Sequence, residues 1–271
     1  MIRIRQLTKQ YGSNVVLRGI DMDAAPGEFV VVLGQSGAGK STLLRCLNRL
    51  VTPDAGEVNV AGLDAVNNTD TLALRRQVAM IFQHHHVVPR LSVHKNVLTG
   101  RLGAVSTLSS IFQFFRREDV ALAHECLARV GLAHKADART DSLSGGQMQR
   151  VGIARALAQQ PRLILADEPV ASLDPRTARR VLQYLRDASR ELGITVLCNL
   201  HQVDYACEFG DRIVGLAHGR VVFDGTPDTM SEADLQRIYA DPVEHAEEVA
   251  GGDPVERPAS APAFLNLGAG A

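Results

Sequence analysis

Apolar and polar positions along the chain predict two kinds of β-strand. Three segments are apolar at nearly every position, namely FVVVLG at 29–34, LILAD at 163–167 and ITVLCNL at 194–200. Such runs are typical of parallel strands that helices cover on both faces. Apolar and polar residues alternate instead in 2–7 and 56–62, as in strands with one face in water. The pattern therefore predicts a mainly parallel sheet and a small antiparallel patch beside it.

A helical pattern replaces the strand pattern from about residue 102 to residue 158. In EDVALAHECLARVGL, apolar side chains recur at spacings of three, four and three residues, at Val120, Ala123, Leu127 and Val130. This is the period of an amphipathic helix. We therefore expect a helical subdomain, at about residues 90–160, to be inserted between strands of an α/β fold.

The C-terminal residues differ in composition from the rest of the chain. Residues 241–271 are first acidic and then rich in proline, alanine and glycine. Such a segment has too few large apolar side chains to form a core. We expect residues 1–240 to form one cassette without an internal repeat, and residues 241–271 to form an acidic, poorly ordered tail.

Composition narrows the range of partners. The 271 residues include 29 basic and 30 acidic side chains, so no global charge favours nucleic acid or an anionic membrane surface. The four cysteines are far apart and form no C-x-x-C pair, which argues against a disulfide framework or a zinc site. No stretch approaches the roughly 20 apolar residues that cross a bilayer, and residues 1–12 lack the apolar run of a signal peptide. We expect a soluble chain in a reducing compartment.

A glycine-rich loop follows the first apolar run. GQSGAGKS at 34–41 fits the phosphate-loop pattern G-x-x-x-x-G-K-[ST] and lies between a predicted strand and a predicted helix. In this setting backbone N–H groups surround phosphate oxygens, Lys40 reaches the terminal phosphates and Ser41 holds Mg²⁺. The residues assigned here to nucleotide binding are Gly34, Gln35, Ser36, Gly37, Ala38, Gly39, Lys40, Ser41 and Thr42.

Two carboxylates end the second apolar run. Asp167 and Glu168 follow LILA, and ligands of parallel sheets bind at the carboxyl ends of the strands. Asp167 is placed to hold Mg²⁺ through water, and Glu168 to act as general base toward the attacking water. The alternative is a pair of acidic residues that merely ends a strand before Pro169.

The segment LSGGQ at 143–147 supplies a second anion-binding element. Its serine and glycines precede the helical stretch GGQMQRVGIARALAQQ, so free N–H groups and a hydroxyl lie at a positive helix end. One nucleotide hardly needs two such cradles from one chain. We therefore expect Ser144, Gly145, Gly146 and Gln147 to serve the nucleotide of another subunit.

The phosphate loop, LSGGQ and LILADEP, in that order, resemble the ATPase subunit of an ABC transporter. The resemblance covers residues 1 to about 240 and implies a P-loop NTPase fold and two cassettes that close head to tail on ATP and Mg²⁺. It also implies roles for four further residues. Tyr11 resembles the aromatic residue that stacks on adenine, Gln83 the glutamine that joins the Mg²⁺ and water region to the membrane subunits, Asp174 the aspartate at the dimer crossing, and His201 the histidine at the γ-phosphate.

Several segments resemble the ATPase subunit of phosphonate importers in particular, including PVASLDP, NLHQVDYA and VVFDGTP. This resemblance implies a homodimer at the cytoplasmic face of the inner membrane, integral membrane permease subunits and a periplasmic solute-binding protein. It implies no nucleic acid, and membrane contact only through the permease. Phosphate, phosphite and organophosphonates all remain possible cargoes.

Other interpretations of the chain remain open. ABC-type ATPases of DNA repair or translation lack a transporter, an importer of another solute would carry the same motifs, and a P-loop kinase would leave LSGGQ unexplained. HHH at 84–86 suggests a solvated loop rather than a metal site, because three consecutive side chains rarely converge on one ion. IFQFFRR at 111–117 fits either helix core or a contact with the membrane subunits.

Overall fold

The computed structural model describes residues 1–67, 70–83, 86–106, 109 and 114–239, and Met1–Tyr239 pack as one compact unit. The strands are β1 Ile2–Tyr11, β2 Asn14–Ala24, β3 Phe29–Leu33, β4 Ala55–Val60, β5 Leu63–Asp64, β6 Val78–Ile81, β7 Leu163–Asp167, β8 Thr195–Asn199, β9 Arg212–Ala217 and β10 Arg220–Gly225. The helices of four or more residues are α1 Lys40–Leu47, α2 Thr71–Gln77, α3 Val93–Leu98, α4 Arg117–Arg129, α5 Gly145–Ala158, α6 Pro175–Leu192, α7 Val203–Phe209 and α8 Glu232–Tyr239.

A six-stranded sheet forms the centre of this unit. Its order is β10-β9-β3-β8-β7-β6, and every neighbouring pair is parallel except β10 with β9. All residues of β3, β7 and β8 are buried, because helices cover both faces and the strands are apolar throughout. The three continuous apolar runs of the sequence are thus adjacent central strands, and their carboxyl ends lie at one edge of the sheet.

A second sheet is antiparallel, with the order β2-β1-β4-β5. Ile2, Ile4, Met22, Val58 and Val60 are buried on its inner face. The alternation in the sequence therefore predicted the correct type of sheet. The strands are longer than the pattern indicated, because β1 continues to Tyr11 and pairs along most of its length with β2.

In the part of the chain that the structure describes, the helices α3, α4 and α5 lie between β6 and β7 and pack against one another. The first of them begins at Val93, before the helical pattern became visible at about residue 102. Its brevity explains the difference, because a helix of six residues offers too few turns for a periodic pattern. In α4, Ala123 and Leu127 face the core, as their spacing predicted.

Within the described residues, none of the helices is both long and apolar enough to cross a membrane. The four cysteines are free thiols, and only Cys207 is exposed. Burial raises the pKa of Cys46 to about 12 and that of Cys126 to about 11, so both stay protonated at neutral pH. The predicted tail at 241–271 lies outside the described residues, as do His84, His85 and residues 111–113.

Candidate active site

The glycine-rich loop joins β3 to α1 at the carboxyl edge of the central sheet. Gly39 ends the loop with φ 104°, a conformation that favours glycine. A Cβ there would lie 2.8 Å from the Leu17 side chain. The residue must therefore be glycine both for its backbone angle and for its close approach to β2, and this contact places the antiparallel sheet beside the loop.

Lys40 folds back over the loop. Its side chain is only 4% exposed, and Nζ donates hydrogen bonds to the carbonyl oxygens of Gly34 at 2.8 Å and Gln35 at 3.0 Å. Burial lowers the pKa of this ammonium, while the nearby charges of Glu168 and Asp167 oppose that effect. A phosphate group at this place could exchange the two carbonyl contacts for stronger charge-assisted ones.

Asp167 is buried at the end of β7 and accepts two hydrogen bonds on one oxygen. Ser41 Oγ donates to Oδ1 at 2.7 Å and Asn199 Nδ2 donates to the same atom at 2.9 Å. Asn199 was not among the site residues predicted from sequence. Its position follows from strand register, because Asp167 and Asn199 are direct partners across β7 and β8.

Ser41 and Asp167 fit a magnesium ion. A hydroxyl and a carboxylate are hard oxygen ligands of the kind Mg²⁺ prefers. The second carboxylate oxygen, Oδ2, lies 3.8 Å from the Arg45 guanidinium. Gln83, predicted as a third member of this set, is exposed just after β6. Within the described part of the chain, no hydrogen bond joins it to Ser41 or Asp167.

Glu168 and His201 form a pair beside Asp167. His201 Nε2 lies 2.7 Å from Glu168 Oε1, and both side chains are only partly exposed. Glu168 has φ 50°, a left-handed conformation that costs a residue with a Cβ roughly 1–2 kcal/mol. The surrounding structure thus holds the Glu168 backbone in a strained conformation just after β7. In this conformation the carboxylate contacts His201.

The LSGGQ segment begins α5, with Ser144 as its N-cap. Ser144 Oγ accepts from the Gln147 backbone N–H at 3.4 Å, and Gln147 Oε1 accepts from the Ser144 N–H at 3.1 Å. Ser144 and Gly145 are exposed. Among the residues that the structure describes, no hydrogen bond joins 144–147 to the phosphate loop at 34–42. Gln147 Oε1 also accepts from Lys135 Nζ at 3.5 Å, so within the described residues the partners of this side chain extend beyond the cap.

Asp174 lies next to this segment. A Cβ on Gly146 would come within 2.7 Å of the Thr177 side chain, so α5 begins against the first turn of α6. Asp174 caps α6 by accepting from the backbone N–H groups of Arg176 and Thr177. Hydrogen bonds from Thr177, first its hydroxyl and then its N–H, hold the pKa of this carboxyl below its ordinary value. Asp174 is therefore an exposed anion beside the LSGGQ segment.

Tyr11 is an exposed aromatic residue at the end of β1. Its side chain is 49% exposed, and Lys9 Nζ lies 5.3 Å from the ring centroid. Because β2 packs against Gly39, the hairpin that carries Tyr11 borders the phosphate loop. About half of the residue is thus open to solvent, beside the Lys9 ammonium that lies over the ring.

A cavity lies elsewhere, between α2, β6 and the C-terminal part of α5. It measures about 640 Å³ and is lined by Leu50, Leu72, Arg75, Arg76, Phe82 and Arg155, among others. Leu50 and Leu72 are 45% and 58% exposed. His86, the described residue of the HHH segment, also lines it and packs edge-on against Phe82. Within the described ranges, His, Cys, Asp and Glu side chains form no cluster that could hold a metal ion.

Comparison with known proteins places this arrangement in a family. A family model described as ABC transporter matches residues 17–171. The chain is 54% identical over 239 residues to the phosphonates import ATP-binding protein PhnC of Thiobacillus denitrificans, which covers 88% of this chain and 92% of that protein. It is 52% identical over 264 residues to the phosphite import ATP-binding protein PxtA of Stutzerimonas stutzeri, with 97% and 92% covered.

A solved structure with the same fold is a dimeric ATP-binding cassette in a post-hydrolysis state, bound to ADP and Pi. The TM-score is 0.72 at 33% identity, and the match covers 84% of this chain and 99% of that one. The family-model match at 17–171 includes the phosphate loop and β7. The fold predicted from the sequence, an α/β P-loop NTPase with a mainly parallel sheet, is confirmed.

Proposed function

The chain belongs to the ABC transporter family, and we propose from this premise that it is the ATP-hydrolysing subunit of an importer for phosphonates or closely related phosphorus oxyanions. The observation that carries the proposal is the meeting of three elements at one sheet edge. Ser41 contacts Asp167, Glu168 contacts His201, and Lys40 folds over the loop between them. The rival classes, a mechanical ATPase of DNA repair or translation and a P-loop kinase, have no comparable support.

Each group of the site has its own role in ATP hydrolysis. The N–H groups of the loop and Lys40 bind the phosphates of ATP, and Lys40 offsets the negative charge that develops on the transferred group. Ser41 and Asp167 would hold Mg²⁺, which supplies further positive charge at the phosphates when bound. Glu168 accepts a proton from the attacking water, and His201 orients that carboxylate and the γ-phosphate. Gln83 would join this region as the residue that links it to the membrane subunits.

A second copy of the chain completes the site. Ser144, Gly145 and Asp174 are exposed, and within the described residues the side chains of Ser144 and Asp174 bond only to the first turn of the helix that each of them caps. In a head-to-tail homodimer, Ser144 and the N–H groups of Gly145 and Gly146 face the other copy's γ-phosphate. Tyr11 stacks on adenine from the same chain as the phosphate loop. ATP binding then closes the dimer, and hydrolysis reopens it.

The large cavity is the surface that best fits the permease. Its exposed apolar side chains, Leu50 and Leu72, suit a short amphipathic segment of a membrane subunit. Phe82 lines it directly before Gln83, so a partner bound there lies next to the residue assigned to the coupling between ATP and transport. Burial lowers the pKa of the Arg155 guanidinium, and the arginines of this surface favour an acidic group on that segment.

The cargo assignment rests on the relatives named above, which are import proteins for phosphonates and phosphite. The cassette does not contact cargo itself, so a periplasmic solute-binding protein selects it and the permease carries it. Through that permease the cassette is held at the cytoplasmic face of the inner membrane, without membrane contact of its own.

Growth on defined phosphorus sources tests the proposal. The chain, together with its permease and binding protein, is expressed in cells that lack phosphonate and phosphite uptake. Growth on methylphosphonate or phosphite as sole phosphorus source, lost with Glu168→Gln in the cassette, supports the assignment. Uptake of neither, with ATPase activity intact in the purified protein, rejects the cargo class but leaves the ATPase assignment standing.

A further inference from the structure

Helix α8 lies against the strands that carry the phosphate loop. Ile238 is 1% exposed, and a Cβ on Gly215 would lie 2.5 Å from its side chain. Gly215 belongs to β9 and is the register partner of Leu33, the last residue of β3. The end of α8 is therefore packed directly beside the start of the loop, although about 200 positions separate the two segments in the sequence.

Tyr239, the last residue of α8, contacts both sides of the candidate site. Its carbonyl oxygen accepts a hydrogen bond from the side-chain amide of Gln35 in the phosphate loop. Its hydroxyl donates to the carbonyl oxygen of His201 at 2.9 Å. One half-buried residue thus joins the loop that binds phosphate to the backbone of the histidine that contacts Glu168.

The direction of the hydroxyl contact is fixed by chemistry. A carbonyl oxygen has no proton to give, so the Tyr239 hydroxyl must be the donor. Burial raises the pKa of this phenol above its ordinary value, which keeps the proton in place at any pH at which the protein works. The contact holds the backbone of His201, and the position of the His201 ring follows from that backbone.

We propose that Tyr239 is a positioning residue that fixes the His201–Glu168 pair relative to the phosphate loop. This inference rests on the roles of His201 and Glu168 given above, and extends them to the last helix of the described unit. The hydroxyl acts on the orientation of the pair, whereas the Tyr239 backbone carbonyl acts on Gln35.

Replacement of Tyr239 by Phe separates these two contacts. The variant loses only the hydroxyl and keeps the ring, its packing and the carbonyl that holds Gln35. We expect kcat to fall about 2- to 10-fold, the usual worth of one hydrogen bond, while KM for ATP stays within about twofold because the loop contact remains. A steady-state ATPase assay well below the unfolding temperature gives both constants.

Two controls separate positioning from stability. Tyr184→Phe removes the hydroxyl of a half-buried tyrosine on α6 that makes no hydroxyl hydrogen bond within the described residues, and should leave kcat unchanged. In a double-mutant cycle, Tyr239→Phe should cost nothing further in a His201→Ala background, because the hydroxyl acts through His201. Slow turnover in that background is followed with radiolabelled ATP.

The outcomes distinguish this inference from the functional proposal. Unchanged kcat in Tyr239→Phe, or an equal loss with and without His201, overturns the positioning role. If His201→Ala itself turns over ATP at the normal rate, the assignment of His201 fails first. A rise in KM with constant kcat would show that Tyr239 serves nucleotide binding through Gln35 instead, and would also overturn the inference.

Discussion

The two anion-binding regions of the chain differ in how they are held. Around the phosphate loop, Lys40 and Asp167 are buried, and each makes two hydrogen bonds to residues of the same site. In the LSGGQ region, Ser144 and Asp174 are exposed, and their contacts are helix caps within three residues of sequence. One region is assembled by the fold of a single chain. The other is presented at the surface.

This difference indicates where the chain needs a partner. A preassembled set of donors and carboxylates loses little entropy when substrate binds, and that favours electrostatic catalysis. Exposed N–H groups at a helix start attract an anion but cannot exclude water from it by themselves. Under the proposed function, the phosphate-loop region therefore holds most of the reacting groups, and the LSGGQ region helps to enclose the nucleotide of the other copy. Each prediction below tests one side of that division.

The largest effect is expected from Glu168→Gln in the assembled region. The amide cannot accept the proton of the attacking water, so turnover should fall by about 10²-fold or more, while ATP still binds. An ATP-bound dimer should then accumulate. Phosphate release measures the turnover, and light scattering after size exclusion with ATP measures the dimer.

A matched substitution gives the control for this variant. Glu208→Gln changes an exposed carboxylate that pairs with Arg179 at 3.0 Å on the surface. It should alter neither turnover nor dimer formation, since exposed ion pairs contribute little. Glu168→Gln turnover close to that of Glu208→Gln would exclude Glu168 as the base.

The exposed region is tested by combining Ser144→Arg with Lys40→Ala in mixed dimers. If Ser144 serves the other copy's nucleotide, lesions on different chains fall in the same composite site and leave one site intact. The same lesions on one chain damage both sites. We expect measurable ATPase activity in the first dimer and at least about 10²-fold less in the second.

Both mixed dimers contain the same two substitutions, so each controls for the other's loss of stability. Differently tagged chains allow the two arrangements to be purified separately and compared in one assay. The reverse order of activities would place Ser144 in the site of its own chain, and the contrast between the two regions would then be wrong.

The sequence predicted those features that depend on neighbouring residues. The loop at 34–41, the strand at 163–167 and the cap at Ser144 are each determined locally, by glycine, by continuous apolar side chains or by a short polar side chain before a helix. The positions of Asn199 and Tyr239 depend instead on which strands are neighbours and in which register. No local pattern contains that information. Gln83 is the opposite case. The family resemblance gave it a role at the Mg²⁺ region, but within the described residues no hydrogen bond joins it to Ser41 or Asp167.

Asn199 offers a sharper test of the assembled region. Asn199→Asp places a second carboxylate where Nδ2 now donates to Asp167 at 2.9 Å, and like charges at that distance disfavour the ionised pair. We expect about a tenfold or greater loss of kcat and a higher Mg²⁺ requirement for binding of a non-hydrolysable ATP analogue. Calorimetric titration with and without Mg²⁺ measures the binding, independently of turnover.

The control for this variant retains a donor. Asn199→Thr keeps a hydroxyl near the carboxylate. Its kcat and its Mg²⁺ requirement should lie between those of the wild type and those of Asn199→Asp. If all three proteins show the same Mg²⁺ requirement, Asn199 does not position Asp167, and the contact at the end of β7 is only packing.

The smallest effect should come from Ser144→Ala, and it separates the two roles of this serine. Loss of the cap costs about 1 kcal/mol, or about 2–4 °C in Tm for a chain of this size.

The control variant is Ser92→Ala, which removes the corresponding cap of α3. Ser92 Oγ accepts from the Lys95 N–H at 3.2 Å, so this variant should lower Tm by a similar amount. Only Ser144→Ala should also lower turnover, because in the proposed dimer the Ser144 hydroxyl, unlike that of Ser92, faces the partner's nucleotide. Ser144→Thr should restore both properties in part. Equal turnover in the two alanine variants would reduce Ser144 to a helix cap, and the exposed region would then have no role in hydrolysis beyond its backbone N–H groups.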